Sequence, residues 1–570
     1  MKIKSLLIGM LACSAMVACT NTDEPEVDNG GASGNESYLA VKLVNPSAGS
    51  RANSVYAYGS KEEQTVTSAR FYLFDAKGEA YIIADGSKDP SNNNGKNYVD
   101  ASPTGNFEDT GSSNVETVLS AVLVIDSSKK LPPASILAVL NCSDLLGTDN
   151  LSLSQLKTKV ANFGTIKDAT SPAPYVGAGK FVMSNSVYKD ATGRLAEATP
   201  IAAENIKTTR AEAQAEGAAV KIYVERVAAK VQTEVNASET KPTGEEKTFF
   251  VKNGQYYAFT GEVDANENKI YARLKGWKVT NITNQSKLIK DLDATAAANL
   301  TWTWNNPANF RSYWADANYD PSFVWSFNEA NLPFTGTNWE YYNENTKNVL
   351  GNHKANKNSQ LLVAAEFVTF NGETPSDPKP IAEWYGVKYT LEGLKEVVAD
   401  ALASKLYTKE TDNSYVSIAP SAITFTQVEA NLADNRYISK IGVADNTYYY
   451  KNGNEMKAYI ATEVQAIVDA LQTTKIWGNM VTEGETQKYV GGGYYYIDIV
   501  HDASTDTNVY GLVRNHWYKL KLNSLSGLGT PVYDPNKVII TETPDTDASF
   551  IAAEINVLAW RMVEQGVDFQ

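Results

Sequence analysis

The sequence has few of the residues that most often carry catalysis or bind metals. Its 570 residues include only three cysteines and three histidines. His353, His501 and His516 lie far apart along the chain, without the HxxxH or HExxH spacing that helps three or four zinc ligands to converge. Three cysteines are also too few for a disulfide scaffold. We therefore predict a protein without a metal ion, a cofactor or an enzymatic activity.

Motifs for a nucleophile or a nucleotide are missing as well. The sequence has no GxSxG motif. Residues 177–180 read GAGK, but Pro174 stands where a phosphate loop needs its first glycine, and Phe181 stands where it needs Ser or Thr. The three glycines at 491–493 are typical of a flexible turn before a strand. The formal net charge of -15 disfavours nucleic acid as a partner.

The N-terminus has the features of an export signal. Lys2 and Lys4 precede an apolar stretch over residues 6–17, which is too short to span a membrane. Ala18 before Cys19 is typical of a lipobox, so residues 1–18 are predicted to be a lipoprotein signal peptide. Cys19 is then the first residue and carries the lipid (palmitate) that holds the precursor in the outer membrane. Ordinary cleavage, with Cys19 unmodified, is the alternative.

A tether, a strand and an exposed loop follow the signal. Residues 20–34 are acidic and rich in Gly and Ser, which is typical of a flexible tether. Alternation predicts a strand over residues 38–44 whose apolar face is formed by Leu39, Val41 and Leu43. The small, polar run 47–54 predicts an exposed loop that is open to proteases, and this loop contains Arg51.

Strands are predicted for most of the remaining chain, since 32 Tyr and 10 Trp favour extended structure. Periodicity predicts strands at 66–74, 115–125, 136–140, 218–231, 269–282, 494–500 and 517–522. Apolar residues at helical spacing predict a short helix within 153–163 and longer helices at 391–406 and 456–471. A weakly patterned stretch at 196–217 indicates a domain boundary. We therefore predict a mainly β fold of two β-sandwich domains with a few short helical insertions.

An Asn-rich stretch between residues 302 and 341 has the composition of a sugar-binding surface, because flat apolar rings lie next to amide groups. The simpler interpretation is that these side chains pack a long loop onto its sandwich. The aromatic residues are Trp302, Trp304, Tyr313, Trp314, Tyr319, Trp325, Trp339 and Tyr341.

The C-terminal tail is apolar on both faces of a predicted strand, and such a strand requires burial on both sides. One interpretation is a last strand inside its own domain. The other is a strand donated to a neighbouring subunit, in which backbone bonds provide affinity and alternate side chains provide specificity. The predicted donor strand covers about residues 550–570, with Ile555, Val557, Leu558, Trp560 and Met562 as its central side chains.

The two ends of the chain fit one scheme. Cleavage after Arg51 would remove the lipid together with the strand that contains Leu39, Val41 and Leu43. The first domain would then expose an apolar groove with unpaired backbone, which the tail of another subunit could fill. Because such a head-to-tail contact does not close on itself, it builds a filament.

Seven segments spread over nearly the whole chain carry a family resemblance. They are Cys19, Arg51-Ala52, 181–185 (FVMSN), 224–231 (VERVAAKV), 513–518 (VRNHWY), 526–531 (SGLGTP) and 554–569. Together they resemble the Mfa-type fimbrial shaft subunits of the FimA superfamily, which are protease-processed type V pilins of Gram-negative anaerobes.

The resemblance implies two transthyretin-like β-sandwich domains. With the features above it predicts a signal peptide (1–18), a propeptide (19–51), an N-terminal sandwich (52–215) and a C-terminal sandwich (216–570). It also implies cleavage between Arg51 and Ala52 by an Arg-specific protease, and polymerisation with copies of itself and with anchor and tip subunits. The product would be a cell-surface fimbria that supports adhesion and biofilm formation. A monomeric surface glycan-binding lipoprotein, or a tip or accessory adhesin, is the alternative.

Overall fold

The structure is a computed structural model, and most of the chain from residue 36 onwards is described. The described residues are 36–46, 63, 65–83, 95–101, 105–106, 108–109, 115–126, 131–142, 146–162, 181–186, 188–189, 195–215, 218–283, 285–291, 321–323, 325–335, 338–346, 358–431, 436–473, 476–478, 480–483, 486–489, 491–502, 509–532, 550–558 and 563–565. Strands predominate among them and helices are few and short, so the predicted mainly β fold is confirmed.

The N-terminal part contains one large sheet. The strands of this part are β1 (Glu36–Pro46), β2 (Thr65–Val66), β3 (Ala69–Phe74), β4 (Tyr98–Ala101), β5 (Gly105–Asn106), β6 (Glu108–Asp109), β7 (Val115–Asp126), β8 (Ser135–Leu140), β9 (Val160–Asn162), β10 (Met183–Asn185), β11 (Tyr188–Lys189), β12 (Leu195–Ala196), β13 (Thr199–Pro200), β14 (Ile206–Lys207) and β15 (Val220–Arg226), of which β2, β5, β9, β11 and β12 lie outside the large sheet. Helices α1 (Leu153–Thr158) and α2 (Arg210–Gln214) and a 3-10 turn (Ala203–Asn205) connect them. The sheet has the order β4-β3-β8-β10-β15-β1-β7-β6, with β13 beside β8 and β14 beside β1.

Strand β15 joins the two halves of this sheet. Residues 220–223 pair in parallel with β1, and residues 224–226 pair antiparallel with β10. The first hydrophobic core lies against these strands, and it contains Tyr72, Leu137, Leu123, Ile222 and Val224 among its fully buried side chains. Nearly all residues of β3 and β8 are buried and most are apolar, because both faces of these two strands are covered.

The C-terminal part begins at β16 and contains twelve strands before an insertion. They are β16 (Ala228–Val235), β17 (Ala237–Ser238), β18 (Phe249–Lys252), β19 (Gln255–Val263), β20 (Lys269–Thr280), β21 (Ile282–Thr283), β22 (Gln285–Lys287), β23 (Pro321–Phe323), β24 (Trp339–Asn343), β25 (Gln360–Val368), β26 (Phe370–Asn371) and β27 (Thr374–Pro375).

The insertion, residues 381–478, has a hydrophobic core of its own. It contains β28 (Ile381–Trp384), β29 (Val387–Thr390), helix α3 (Leu391–Leu402), β30 (Tyr407–Lys409), β31 (Tyr415–Ser417), a 3-10 turn (Pro420–Ala422), β32 (Ile423–Asn431), β33 (Arg436–Val443), β34 (Tyr449–Asn452), β35 (Glu455–Ala458), helix α4 (Ala461–Leu471) and β36 (Ile476–Gly478). Its sheets have the orders β29-β28-β36-β33-β32 and β31-β30-β34-β35. The predicted short helical insertions are therefore part of a larger α/β unit.

The chain then returns to the C-terminal sandwich. The last strands are β37 (Met480–Glu483), β38 (Thr486–Tyr489), β39 (Gly492–Asp498), β40 (Val500–Asp502), β41 (Val509–Tyr510), β42 (Trp517–Ser526), β43 (Thr530–Pro531), β44 (Phe550–Leu558) and β45 (Val563–Gln565). Two sheets, β24-β16-β42-β44-β45 and β17-β18-β19-β20-β25-β39-β43, enclose a second core that includes Trp277, Val363 and Leu520. The predicted domain limits at 52–215 and 216–570 stay predictions, and the change from the first core to the second falls between Ala228 and Ala229.

Two predicted elements are divided or shortened for local reasons. The strand predicted at 66–74 is broken at Thr67 and Ser68, because Asn141 Oδ1 accepts hydrogen bonds from both backbone N–H groups, at 2.7 and 3.4 Å. The helix predicted at 456–471 begins only at residue 461, since Glu463 accepts a hydrogen bond from the backbone N–H of Ile460 and caps the helix there. The residues before this cap form strand β35 instead of helix.

The glycines at 491–493 do not form the flexible turn that the sequence predicts. Gly492 and Gly493 are the first residues of β39. A Cβ atom at Gly491 would lie 2.3 Å from the backbone carbon of Lys379, and one at Gly493 would lie 2.4 Å from the carbonyl oxygen of Leu528. These positions therefore need glycine because neighbouring backbone approaches closely.

Candidate functional site

The predicted removable strand is an internal strand of the N-terminal sheet. Strand β1 pairs antiparallel with β7 along nearly its whole length and in parallel with β15 over residues 41–44. Leu39 is opposite Leu123, Val41 is opposite Ala121 and Val220, and Leu43 is opposite Leu119 and Ile222. The three residues of the predicted apolar face thus occupy alternate positions between two neighbouring strands.

The predicted donor strand pairs within the C-terminal sandwich of its own chain. Strand β44 is antiparallel to β42, with Ile555 opposite Leu520, Val557 opposite Tyr518 and Leu558 opposite Trp517. Strand β45, three residues long, is the only strand beyond β44 in this sheet as far as the chain is described. The two ends of the chain therefore lie in different sheets, and β44 is the second strand from an edge.

The other predicted processing and donor residues lie outside the described residues. They are Cys19, Arg51, Ala52, Trp560 and Met562. Cys142 is a buried free thiol.

Three of the motifs that carry the family resemblance meet where the two cores adjoin. The amide of Asn515 accepts a hydrogen bond from Arg226 Nη1 at 3.2 Å, and the Asn515 backbone N–H donates to the carbonyl of Ala228 at 2.7 Å. From the FVMSN motif, Val182 accepts a backbone hydrogen bond from Val227, and Phe181 contacts the ring of Tyr341 edge-on at 4.9 Å. We call this region the junction, and it links the N-terminal sheet to the start of β16 and β42.

Glu63 holds the chain that follows the predicted cleavage loop against the junction. Its carboxylate lies 2.9 Å from Lys230 Nζ and accepts a hydrogen bond from the hydroxyl of Tyr341, and its backbone carbonyl accepts one from Arg226 Nε at 2.6 Å. Glu63 and Lys230 are both buried. The Lys230 ammonium also lies 4.0 Å from the ring centroids of Trp339 and of Trp517, which places it between two aromatic faces.

The charges around Glu63 decide its protonation. Burial alone would raise the pKa of Glu63, but Arg226 and Lys230, with hydrogen bonds from Lys230 and Tyr341, lower it below the ordinary value. Burial also lowers the pKa of Lys230, and attraction to Glu63 opposes that shift. The 2.9 Å contact and the two donors around the carboxylate favour the charged pair.

Two further ion pairs are buried at the junction. Lys290 Nζ lies 2.9 Å from Glu225 Oε1, and both side chains have no exposed surface. Arg514 Nε donates to Glu344 Oε2 at 2.7 Å, and its other nitrogens donate to the carbonyls of Lys287 and Leu288. Burial raises the pKa of Glu225, while Lys290 and Arg514 oppose that change. Because Leu288 belongs to the first core and Glu344 adjoins the second, Arg514 ties the two together.

Sequence reasoning missed Glu63, Lys290 and Glu344. Lys230, Glu225 and Arg514 lie in motifs that the resemblance singled out, but their respective partners are 167, 65 and 170 residues away along the chain. A buried cation inside an otherwise apolar strand pattern is the one sequence signal that a distant carboxylate must exist.

His501 and His516, the two histidines in the described part of the chain, are buried near the junction. His516 is fully buried and its Nδ1 donates to the carbonyl of Arg514 at 2.8 Å. His501 Nδ1 lies 2.8 Å from the hydroxyl of Tyr518, which in turn accepts a hydrogen bond from the backbone N–H of Val513. In the described part of the chain, no three His, Cys, Asp or Glu side chains are grouped as a metal ion would require.

The aromatic stretch is described only in its last part. Trp325 is buried and its Nε1 donates to the carbonyl of Val279 at 2.6 Å, so it packs onto the sandwich. Trp339 is 40% exposed but contacts Trp517 and Lys230. These two residues follow the packing interpretation, while Trp302, Trp304, Tyr313, Trp314 and Tyr319 lie outside the described residues.

Replacing Glu63 by Gln tests the charge at the junction. The Gln side chain keeps the size but loses the charged hydrogen bonds, so we expect the free energy of unfolding at neutral pH to fall by about 1.5–3 kcal/mol. A carboxyl whose pKa is lowered on folding adds stability above its unfolded-state pKa and loses it as the pH falls through the folded value. The difference between wild type and Glu63→Gln in urea unfolding should therefore shrink below the ordinary pKa of 4.5. A difference that is independent of pH would contradict the charged pair.

In the part of the chain that is described, no helix combines the length and apolarity needed to cross a bilayer. Residues 487–566 match the family model described as major fimbrial subunit protein type IV, fimbrillin, C-terminal. This region contains β39 to β45 and thus the VRNHWY segment and the predicted donor strand. A search of curated proteins gives no match.

Several solved structures are similar over most of the chain at low identity. A fimbrilin from Porphyromonas gingivalis is 11% identical, with a TM-score of 0.33, and 92% of this chain and 99% of that one are covered. The tip fimbrial protein Mfa3 from Porphyromonas gingivalis, with a C-terminal truncation, is 11% identical with a TM-score of 0.26, covering 91% and 100%. A fimbrial assembly protein from Parabacteroides distasonis is 12% identical with a TM-score of 0.27, covering 75% and 100%.

At these TM-scores the superpositions are loose, so the assignment rests on the family model rather than on the solved structures. That match includes the segments 513–518 and 526–531 and residues 554–566 of the terminal segment. The predicted resemblance is therefore confirmed for residues 487–566, which are similar to the C-terminal region of fimbrillin-type major fimbrial subunits.

Proposed function

We propose that the chain is a shaft subunit that is exported as a lipoprotein, cleaved after Arg51 and polymerised by strand exchange on the cell surface. In this scheme Cys19 carries the lipid of the precursor and an Arg-specific protease separates Arg51 from Ala52. The C-terminal segment of one subunit then replaces β1 of the next. The role is structural and adhesive rather than enzymatic, with anchor and tip subunits as the other partners and biofilm formation as the outcome.

The observation that carries this proposal is the internal position of β1. Residue 51 is only five residues beyond the end of β1, so cleavage there would separate β1 from the rest of the chain. Its loss would leave backbone groups of β7 and β15 without their partners, on both sides of one gap. Unpaired backbone in such a gap is costly and accepts another strand readily.

The position of β44 makes it a suitable occupant of the gap. Only the three-residue strand β45 lies beyond it in the described sheet, so β44 and β45 can leave while β24, β16 and β42 stay paired. In its own sheet β44 has a long partner on one side, whereas the gap offers partners on both sides. Each added backbone hydrogen bond stabilises the product by about 0.5–1.5 kcal/mol.

Glu63 gives the cleaved chain a fixed point. It lies 12 residues after the predicted site, and its contacts with Lys230, Tyr341 and Arg226 do not involve β1. The new N-terminal segment is thereby held beside the junction when β1 departs.

Limited proteolysis of the purified precursor tests the scheme. We expect an Arg-specific protease to convert the wild-type chain into ladders that resist SDS. The variant Arg51→Ala should stay intact at this site and monomeric. A chain truncated after residue 549 should be cleaved normally but stay monomeric, because it lacks β44. Cleaved full-length protein that remains monomeric, or a truncated chain that assembles like wild type, would contradict the proposal.

A further inference from the structure

The insertion is not required by the sandwich from which it projects. Strands β25 and β39 flank it in sequence and are hydrogen-bonded neighbours, from Gln360 opposite Asp498 to Glu366 opposite Gly492. The sheet therefore closes without residues 381–478, which pack around their own core. The sandwich therefore does not need this unit for its own core, and an additional role would involve the exposed surface of the unit.

The sheet β31-β30-β34-β35 meets the insertion core at one end of its strands, and within the strands the residues of both faces are half-buried or exposed. We call the face that holds Tyr407, Tyr415 and Tyr449 the outward face. Leu406, Ile418 and Tyr448 are buried in that core, and Tyr459 packs against it. Because side chains alternate along a strand, the residues next to these point to the opposite face. The register confirms the assignment, since Tyr407 is opposite both Ser417 and Tyr449, and Tyr449 is opposite Ala458.

The outward face is aromatic and carries positive charge. Tyr407, Tyr415, Tyr449 and Met456 are half-buried there, and Lys409 and Lys451 are exposed. The rings of Tyr415 and Tyr449 meet edge-to-face at 4.9 Å between centroids. The remaining paired positions on this face of the four strands are Ser417 and Ala458, so it holds no carboxylate. The nearest acidic residues in sequence are Glu410 and Asp412, in the turn after β30, and Glu455, which lies next to Met456 on the other face of β35.

The two lysines lie at opposite ends of the tyrosines. Tyr407 and Tyr449 are directly opposite each other on antiparallel strands. Lys409 is two residues further in one direction and Lys451 two residues further in the other, a separation of about 13 Å along the strands. A ligand that engages both must therefore be extended, negatively charged at intervals, and flat enough to lie on the rings between them.

We propose that this outward face binds a linear polysaccharide whose sugars carry carboxylate groups. Sugar rings present apolar C–H faces to the tyrosine rings, and the tyrosine hydroxyls provide polar contacts at the edges. The carboxylates pair with Lys409 and Lys451. Lys409 and Lys451, on a face without a carboxylate, favour an anionic ligand, whereas the net charge of -15 repels such a ligand from the rest of the chain.

Binding of polygalacturonate to the full-length, unprocessed chain tests this assignment independently of assembly. We expect the double variant Lys409→Glu/Lys451→Glu to raise the Kd at least tenfold, and Tyr415→Ser/Tyr449→Ser to raise it similarly at unchanged thermal stability. Neutral dextran should not bind. Lys457→Glu is the matched control, since Lys457 is an exposed lysine of β35 on the other face and its reversal should change the Kd less than twofold.

Three results would overturn the proposal. The first is an absence of binding, and the second is an equal loss in Lys457→Glu. The third is a polyglutamate peptide that binds as tightly as polygalacturonate and does not respond to Tyr415→Ser/Tyr449→Ser, which would indicate recognition of acidic peptides by charge alone.

Discussion

An Arg514→Met variant should lose about 3–5 kcal/mol of folding stability, because it leaves Glu344 as a buried charge without its partner. Arg514 and Glu344 are only 1% and 2% exposed at their side chains. Methionine also removes the donors to the carbonyls of Lys287 and Leu288. Urea unfolding followed by tryptophan fluorescence measures the loss in the free energy of unfolding.

A surface ion pair of the same chemistry is the matched control. Arg273 and Glu366 lie 2.6 Å apart, but their side chains are 25% and 26% exposed. Arg273→Met should therefore cost less than about 1 kcal/mol. The double variant Arg514→Met/Glu344→Leu should recover much of the loss of the single variant, since it removes the uncompensated charge. Equal effects of Arg514→Met and Arg273→Met would refute the argument from burial.

Replacing Trp277 by Ala should cost about 3–5 kcal/mol. Trp277 has no exposed surface, lies opposite Val363 in the second core, and its Nε1 donates to the carbonyl of Pro333 at 3.0 Å. Alanine would leave a cavity and an unsatisfied carbonyl in the middle of the sandwich. Thermal unfolding by calorimetry measures the effect.

Two variants calibrate the Trp277 result. Trp277→Phe keeps most of the volume and should cost clearly less than Trp277→Ala. Val263→Ala, at a strand end that is 45% exposed, should stay within about 0.5 kcal/mol of wild type. A loss at Trp277→Ala no larger than that at Val263→Ala would show that the site is not part of the packed core.

Elements with strong two-residue periodicity or continuous apolar runs were predictable from the sequence. The predicted strands at 115–125, 136–140 and 517–522 correspond to β7, β8 and the first part of β42. The helix predicted from residue 391 begins there, where Thr390 caps the backbone N–H of Gly393. These patterns depend on nearby residues alone, so they are readable without knowledge of the fold.

Features that depend on distant partners were not predictable. The stretch 218–231 reads as one alternating strand but divides at Val227, whose backbone N–H donates to the carbonyl of Val182. Met456 has the spacing of the following helix but pairs with Lys451 in a hairpin. In both cases a contact made by tertiary structure outweighs local propensity.

The candidate site also combines features that were predictable from the sequence with features that were not. Alternation placed Leu39, Val41 and Leu43 at every second position of a strand, and the structure puts that strand inside a sheet. It could not show that β44 pairs with β42 of its own chain, because register between segments far apart in sequence leaves no local trace. The ion pairs of the junction were hidden for the same reason.

The separation of the insertion from both terminal strands has a consequence for avidity. As far as they are described, residues 381–478 contribute no strand to the sheet of β1 or to that of β44. Every subunit added to a filament would thus display one more copy of the tyrosine and lysine face at a regular interval. A long polymer ligand could engage many copies at once, so individually weak contacts would sum to strong attachment, with the effective concentration set by the spacing of the copies.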